Sequence, residues 1–153
     1  MIEEGKQAPA FSLTSDAGEK VSLGDFKGKY LVVYFYPKDN TSGCTKEGEA
    51  FRELHAKFKK AGTEIVGISP DSVASHDKFI AKYGFNFPLL ADEDKALCQL
   101  FGVWKEKSMY GRKYMGVERS TFLIDAKGVL RREWRKVKVP GHAEEVLAAA
   151  AGL

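Results

Sequence analysis

Cysteine is scarce in this 153-residue chain, which has only Cys44 and Cys98, far apart in sequence. Neither belongs to a CxxC pair or has a histidine at ligand spacing, so a thiolate metal site is excluded and no cofactor is called for. Long apolar runs are missing too: none approaches the ~18–20 residues needed to cross a bilayer. The opening MIEEGKQAPAF has two acids and no apolar h-region. No secretory signal is read there, and the cytoplasm is the expected compartment. In that reducing setting two thiols are not expected to form a structural bridge. A strong excess of one charge is also absent. Lys and Arg total 24 against 21 Asp and Glu, a net +3, which does not point to nucleic acid as a partner. No repeat, low-complexity segment or linker breaks the chain, and its length suits a single domain, 1–153.

What is present is a globular composition, 44% hydrophobic and 29% charged, enough to bury a core without disulfide staples. Phe11–Ser15 and Lys20–Leu23 around Asp16-Ala17-Gly18 read as an N-terminal β-hairpin. Tyr30–Tyr36 (YLVVYFY) is a continuous apolar run, as in a central strand buried on both faces. Pro37 stops it, because proline has no N–H for a ladder. From about Cys44 to Ala61, Ala50, Phe51, Leu54 and Phe58 recur at helical spacing, and Gly62 closes the helix. A second buried strand, Glu64–Ser69, precedes a helix capped at Asp71 or Ser72 and ended by Gly84. Leu89–Ala91 reads as a short strand. A helix capped by Asp92 or Asp94 then runs through Leu97 to Phe101. Ser120–Asp125 and Val129–Trp134 form a late hairpin, and a helix runs from about His142 to Ala151.

Crossover helices between buried strands imply parallel pairing, and the hairpins add antiparallel strands. The expected fold is α/β and thioredoxin-like: a mixed central sheet flanked by helices, with the N-terminal hairpin as an extension. Arg131–Lys138 holds five cations in eight residues. The preferred reading is a Lys/Arg-guarded sheet edge, and the other is a docking patch for an acidic partner.

The chemistry concentrates in Pro37-Lys38-Asp39-Asn40-Thr41-Ser42-Gly43-Cys44-Thr45, which leaves the carboxyl end of a buried strand and enters a helix. Ligands bind at that end of open α/β sheets. Cys44 falls in the first helical turn, where free N–H groups and the helix dipole favour a thiolate. A free thiol, with a pKa near ~8.5, is only a few per cent ionised at neutral pH. Making thiolate the major form takes roughly 2.7 kcal/mol, whereas a helix terminus supplies about 0.3–1 and at most about 2. Another cation or donor is called for, and Arg119, at the start of the late strand, is the candidate.

On these motifs the chain resembles the peroxiredoxins, and most closely their PrxQ group, also called the bacterioferritin comigratory protein group. The likeness runs through APAFSL, YFYPKDNTSGCTKE, DEDKALCQLFGVW and ERSTFLID. It implies a thiol peroxidase in which the Cys44 thiolate attacks a hydroperoxide and becomes sulfenic acid. Thr41 and the amides of Gly43 and Cys44 would hold the peroxide. Arg119 would polarise it, Pro37 would shield the sulfur, and Glu47 would orient Arg119. Hydrogen peroxide and organic hydroperoxides are the implied substrates. Thioredoxin, glutaredoxin, glutathione or another thiol is the implied reductant, and the group is often monomeric. Without the resemblance, Thr41 reads equally as a helix cap, Arg119 as a surface residue, and Trp104, Tyr34, Phe35 and Tyr36 as core or pocket wall.

The chain departs from the group at the resolving cysteine. Five positions after Cys44 stands Glu49, and Phe79–Ala81 in the following helix has no cysteine either. The preferred mechanism is therefore a one-cysteine cycle closed by an external thiol. The alternative is a Cys44–Cys98 disulfide reduced by thioredoxin, with Cys98 as a possible resolving residue, although its apolar flanks suggest an inert thiol. Two rival classes remain: a disulfide oxidoreductase, which lacks its second thiol here, and a non-catalytic binding or chaperone module. His55, His76 and His142 read as surface or helix-end residues without a role.

Overall fold

The computed structural model describes residues 2–153. Strand β1 (Ser12–Ser15) turns into β2 (Lys20–Ser22), and a short 3-10 turn, Leu23–Phe26, leads to β3 (Tyr30–Phe35). Helix α1 (Ser42–Lys60), β4 (Thr63–Ser69), α2 (Val73–Tyr83), β5 (Leu89–Ala91) and α3 (Ala96–Leu100) follow. A two-stranded ribbon, β6 (Trp104–Met109) with β7 (Arg112–Val117), precedes β8 (Ser120–Ile124), β9 (Leu130–Trp134) and α4 (His142–Ala151).

Seven strands form one mixed sheet in the order β2-β1-β5-β4-β3-β8-β9. β3, β4 and β5 are parallel, and β8, β9, β1 and β2 join antiparallel to their neighbours. The N-terminal hairpin therefore extends one edge of the sheet. β9 is the other edge, and the basic run begins there. Arg131, Arg132 and Arg135 pair with Asp125, Glu145 and Glu133.

Side chains alternate across a strand, so β3 feeds two cores. Leu31, Val33 and Phe35 pack with Val66, Ile68, Cys98, Phe101 and Phe122. Val32, Tyr34 and Tyr36 pack on the opposite face with Cys44, Phe51 and Phe58 of α1, Phe79 of α2 and Val146 of α4. Each fully buried Phe contributes on the order of 1.5–3 kcal/mol of transfer free energy. α1 approaches the second core closely only because residue 48 is glycine: a Cβ there would lie 2.5 Å from the Phe85 ring.

The helix ends follow the sequence. Ser72 Oγ accepts from Ser75 N, and Gly84 ends α2 in the left-handed region at φ 64°. Asp92, not a residue adjoining α3, receives the free amides of Leu97 and Cys98 at 3.1 and 2.8 Å. No helix among the described residues is long and apolar enough to cross a membrane.

Candidate active site

β3 ends at the carboxyl edge of the sheet, and the segment from Tyr36 to Thr41 carries the chain into α1. Cys44 is the third residue of that helix and only 2% exposed. The amides of Ser42, Gly43 and Cys44 have no intrahelical partner, because the first helical bond runs from Thr45 N to Thr41 O at 2.8 Å. Those donors and the helix dipole face the region of the sulfur.

Arg119 reaches the same point from the other side of the sheet order, at the junction before β8. Its Nη2 donates to Cys44 Sγ at 3.4 Å, and its Nη1 donates to Glu47 Oε1 at 2.6 Å. Its carbonyl accepts from Val137 N at 3.0 Å, which ties the loop after β9 to the site. Burial opposes the guanidinium charge, but Glu47 and Cys44 outweigh it and hold the cation. The guanidinium lies close against the first turn of α1: a Cβ on Gly43 would sit 3.2 Å from Nη2.

Glu47, one turn beyond Cys44, is 1% exposed, and its Oε2 has no partner among the described residues. Burial pushes this carboxyl up to about 7, with Arg119 pulling the other way. Lys107, half-buried on β6, is pushed down by burial and then by Arg119, so a second cation stands near the first.

Pro37, Thr41, Gly43, Cys44, Glu47 and Arg119 were all singled out in the sequence. The structure places Cys44, Glu47 and Arg119 in one bonded cluster, with Gly43 against the guanidinium. Thr41 occupies the N-cap position, but its side chain does not cap. The hydroxyl instead donates to Lys38 O at 2.9 Å, leaving lone pairs as its free hydrogen-bonding capacity. Pro37 is half-buried where β3 gives way to the loop.

Cys98 is not brought to this cluster. It is fully buried on the opposite face of the sheet, and burial followed by the Asp92 carboxylate pushes its thiol up. Of the reading of His76 and His142 as surface or helix-end residues, only the helix-end position of His142 holds, since they are 0% and 5% exposed. His142 starts α4, but its ring turns inward to bond Thr121 Oγ1 at 2.8 Å, and burial pushes it down to about 4. His76 lies three residues before Phe79 on the apolar stripe of α2, a spacing that could have marked it as buried.

Comparison with known proteins finds relatives along nearly the whole chain. Residues 4–133 match the AhpC/TSA family. Peroxiredoxin Bcp of Bacillus subtilis is 52% identical over 146 residues, covering 95% of this chain and 93% of that protein. A cysteine-to-serine mutant of PrxQ from Xylella fastidiosa superposes with a TM-score of 0.94 at 44% identity, covering 99% of this chain and 97% of that one. The bacterioferritin comigratory protein of Xanthomonas campestris, whose structures were determined to explain its alkyl peroxide reduction activity, gives 0.91 at 49% identity, covering 98% of each.

Proposed function

The chain belongs to the AhpC/TSA family, as a thiol-dependent peroxidase of the Bcp/PrxQ type, and we propose that Cys44 is its peroxide-reducing sulfur. The observation that carries the assignment is the Arg119 Nη2–Cys44 Sγ contact of 3.4 Å at the first turn of α1. A guanidinium, a set of free amides and a helix dipole converge on one sulfur, and each favours the anion.

The chemistry balances as a two-electron transfer. The Cys44 thiolate attacks the outer oxygen of a hydroperoxide, an S–O bond forms and the O–O bond breaks. Sulfur becomes sulfenic acid, and the departing alkoxide or hydroxide takes a proton from solvent. Charge grows on the oxygens as their bond stretches, and Arg119 with the amides of Gly43 and Cys44 answers it. Thr41 already donates its O–H to the Lys38 carbonyl, so its lone pairs accept the peroxide O–H and orient the substrate. Pro37 limits water at the sulfur. Glu47 holds the guanidinium in line.

The cycle closes through an external thiol. One thiol condenses with the sulfenic acid, releasing water and leaving a mixed disulfide. A second thiol releases Cys44 reduced and carries away the disulfide. Two features support a one-cysteine cycle over a Cys44–Cys98 bridge. The sulfurs lie in cores on opposite faces of the sheet, and a disulfide needs Cα atoms within about 7 Å. Cys98 is also held as a thiol by burial and Asp92. Hydrogen peroxide and organic hydroperoxides are the proposed substrates. Thioredoxin, glutaredoxin, glutathione or another small thiol is the proposed reductant, acting on a cytoplasmic monomer.

Replacing Cys44 with Ser is the direct test: peroxide consumption disappears, and persistence at the wild-type rate refutes the assignment. Mass spectrometry after one equivalent of peroxide tests the cycle. It is expected to find sulfenate on Cys44, and a Cys44–Cys98 crosslinked peptide would overturn the one-cysteine route.

A further inference from the structure

Behind the site lies a buried polar network that the chemistry above does not use. His76 is 0% exposed and Asp39 is 7%. Asp39 Oδ1 accepts from Tyr36 Oη at 2.6 Å, and Oδ2 accepts from Ser75 Oγ at 2.7 Å. His76 Nδ1 lies 2.7 Å from that same Oδ2, and Nε2 lies 3.0 Å from the Leu90 carbonyl oxygen. A carbonyl can only accept, and a carboxylate that takes two hydroxyl donors is an acceptor as well. Nε2 is therefore the donor to Leu90, and Nδ1 shares a short hydrogen bond with the Asp39 carboxyl inside the protein, with Tyr36 Oη 3.4 Å away. The backbone of Asp39 is fixed too: its N–H donates to Asp71 Oδ2 at 2.8 Å, and Asp71 is held by Ser69 Oγ at 2.6 Å. Ligand atoms of Asp39, Asp71 and His76 lie within 4.8 Å of one another, but each is already engaged by a protein group.

The location gives this network its meaning. Asp39 sits between the end of β3 and the start of α1, in the segment that carries Thr41 and leads to Cys44. Its neighbour Asn40 adopts φ 60°, the left-handed turn conformation that asparagine tolerates better than most non-glycine residues. Asn40 Oδ1 accepts from Lys82 Nζ at 3.3 Å and Tyr83 Oη at 3.1 Å. Helix α2 thus grips the segment twice, by Ser75 and His76 near its start and by Lys82 and Tyr83 near its end. Arg119 is anchored independently, through Glu47 and the Val137 amide.

We propose that His76 is a positioning residue for the peroxide-attack step. Through its buried hydrogen bond with Asp39 it fixes the Tyr36–Thr41 segment, so that Thr41 and the α1 amides meet Arg119 around the sulfur in register. The proposal rests on the reading of Cys44 as the attacking sulfur. Attack needs the sulfur, both oxygens and the donors aligned, and a misplacement of about 1 Å reduces such rates by about 100-fold. The reducing step calls for no such alignment with Thr41 and Arg119, because the incoming thiol attacks sulfenic sulfur directly.

The two steps can be timed separately by stopped flow: oxidation of the reduced protein by hydrogen peroxide, then reduction of the sulfenic acid by dithiothreitol. His76→Gln removes the ring that bridges Asp39 and Leu90, and Asp39→Asn removes the carboxyl group. Both are measured well below their thermal midpoints. Oxidation is expected to slow by about 10- to 100-fold, with the reduction rate unchanged, and the double variant is expected to be no slower than the slower single. A merely structural role would slow both steps together and lower the midpoints without this split. If His76→Gln fails to fold, Tyr36→Phe and Ser75→Ala each remove one bond to Asp39 and keep the packing. They are expected to slow oxidation alone, by about threefold to tenfold, about one hydrogen bond's worth. Wild-type oxidation rates in the folded variants overturn the proposal. Cys44→Ser, run in parallel, keeps the questions apart: peroxide turnover surviving there sinks the Cys44 assignment itself, whatever the His76 variants do.

Discussion

Glu47→Gln isolates the electrostatic balance behind the sulfur. The carboxyl is 1% exposed and has one oxygen bonded to Arg119 Nη1 at 2.6 Å, while the other lacks a partner among the described residues. Burial pushes it from 4.5 to about 7 although Arg119 pulls it down. Between those values the folded protein keeps a proton that the unfolded chain has released. Folding is then coupled to proton uptake, so stability falls as pH rises through the window and levels off above it. At 1.36 kcal/mol per pH unit, the difference is about 3 kcal/mol. Glutamine has nearly the same shape, still accepts from Arg119 through its carbonyl and does not titrate. Urea unfolding of both proteins between pH 4.5 and 8 cancels every other titrating group in the difference. The variant is expected to gain about 3 kcal/mol relative to wild type across that range, a midpoint shift of about 1–2 M for ordinary urea sensitivity. Parallel profiles would refute the reasoning. A wild type that gains on the variant as pH rises would show that Arg119 outweighs burial.

His142 supplies the opposite slope. Buried and pushed down to about 4, it stays neutral in the folded protein while the unfolded chain charges near 6.5. Its stabilisation is full above that value and is lost as pH falls toward 4, by up to about 3 kcal/mol. Thermal midpoints at pH 7 and pH 5 should therefore drop further for wild type than for His142→Gln. Gly43→Ala places a methyl 3.2 Å from Arg119 Nη2. It should slow peroxide oxidation in stopped flow by about tenfold while moving the urea midpoint little. Gly48→Ala forces a methyl to 2.5 Å from the Phe85 ring, and calorimetry should show destabilisation of about 1–3 kcal/mol.

The parts legible in the sequence are those that a single strong signal dictates. The YLVVYFY run could only be a strand covered on both faces, and β3 has that place between β4 and β8. Ser72 and Gly84 bounded α2 because capping and the left-handed conformation belong to those residue types. Cys44 was legible from its loop-to-helix position, while Gly43 and Glu47 came from the resemblance, and one helix start holds all three together. The β6–β7 ribbon was not read at all. Its strands alternate without an apolar face, since Lys105, Glu106, Arg112 and Lys113 are exposed. The one available signal was the Tyr110-Gly111 turn, with φ of 51° and 78°, the positive pair that a two-residue hairpin requires. The two buried histidines were missed for a different reason. Their partners are distant in sequence, Asp39 for His76 and Thr121 for His142, and the only local sign of depth was the spacing of His76 from Phe79 on α2. Arg119 came from chemical need and resemblance, because nothing local in ERSTFLID aims a guanidinium at a helix terminus.

In the proposed one-cysteine cycle, the two sulfurs, held in cores on opposite faces of a seven-stranded sheet, pass no oxidising equivalent between them. Every turnover must end in an encounter with a second species. Throughput then scales with the abundance of that donor, and a shortage leaves oxidised Cys44 open to another peroxide, which carries the sulfur on to the sulfinic state and out of service. On that cycle the chain would work as a fuse: protective while reducing power lasts, and self-limiting once it runs out.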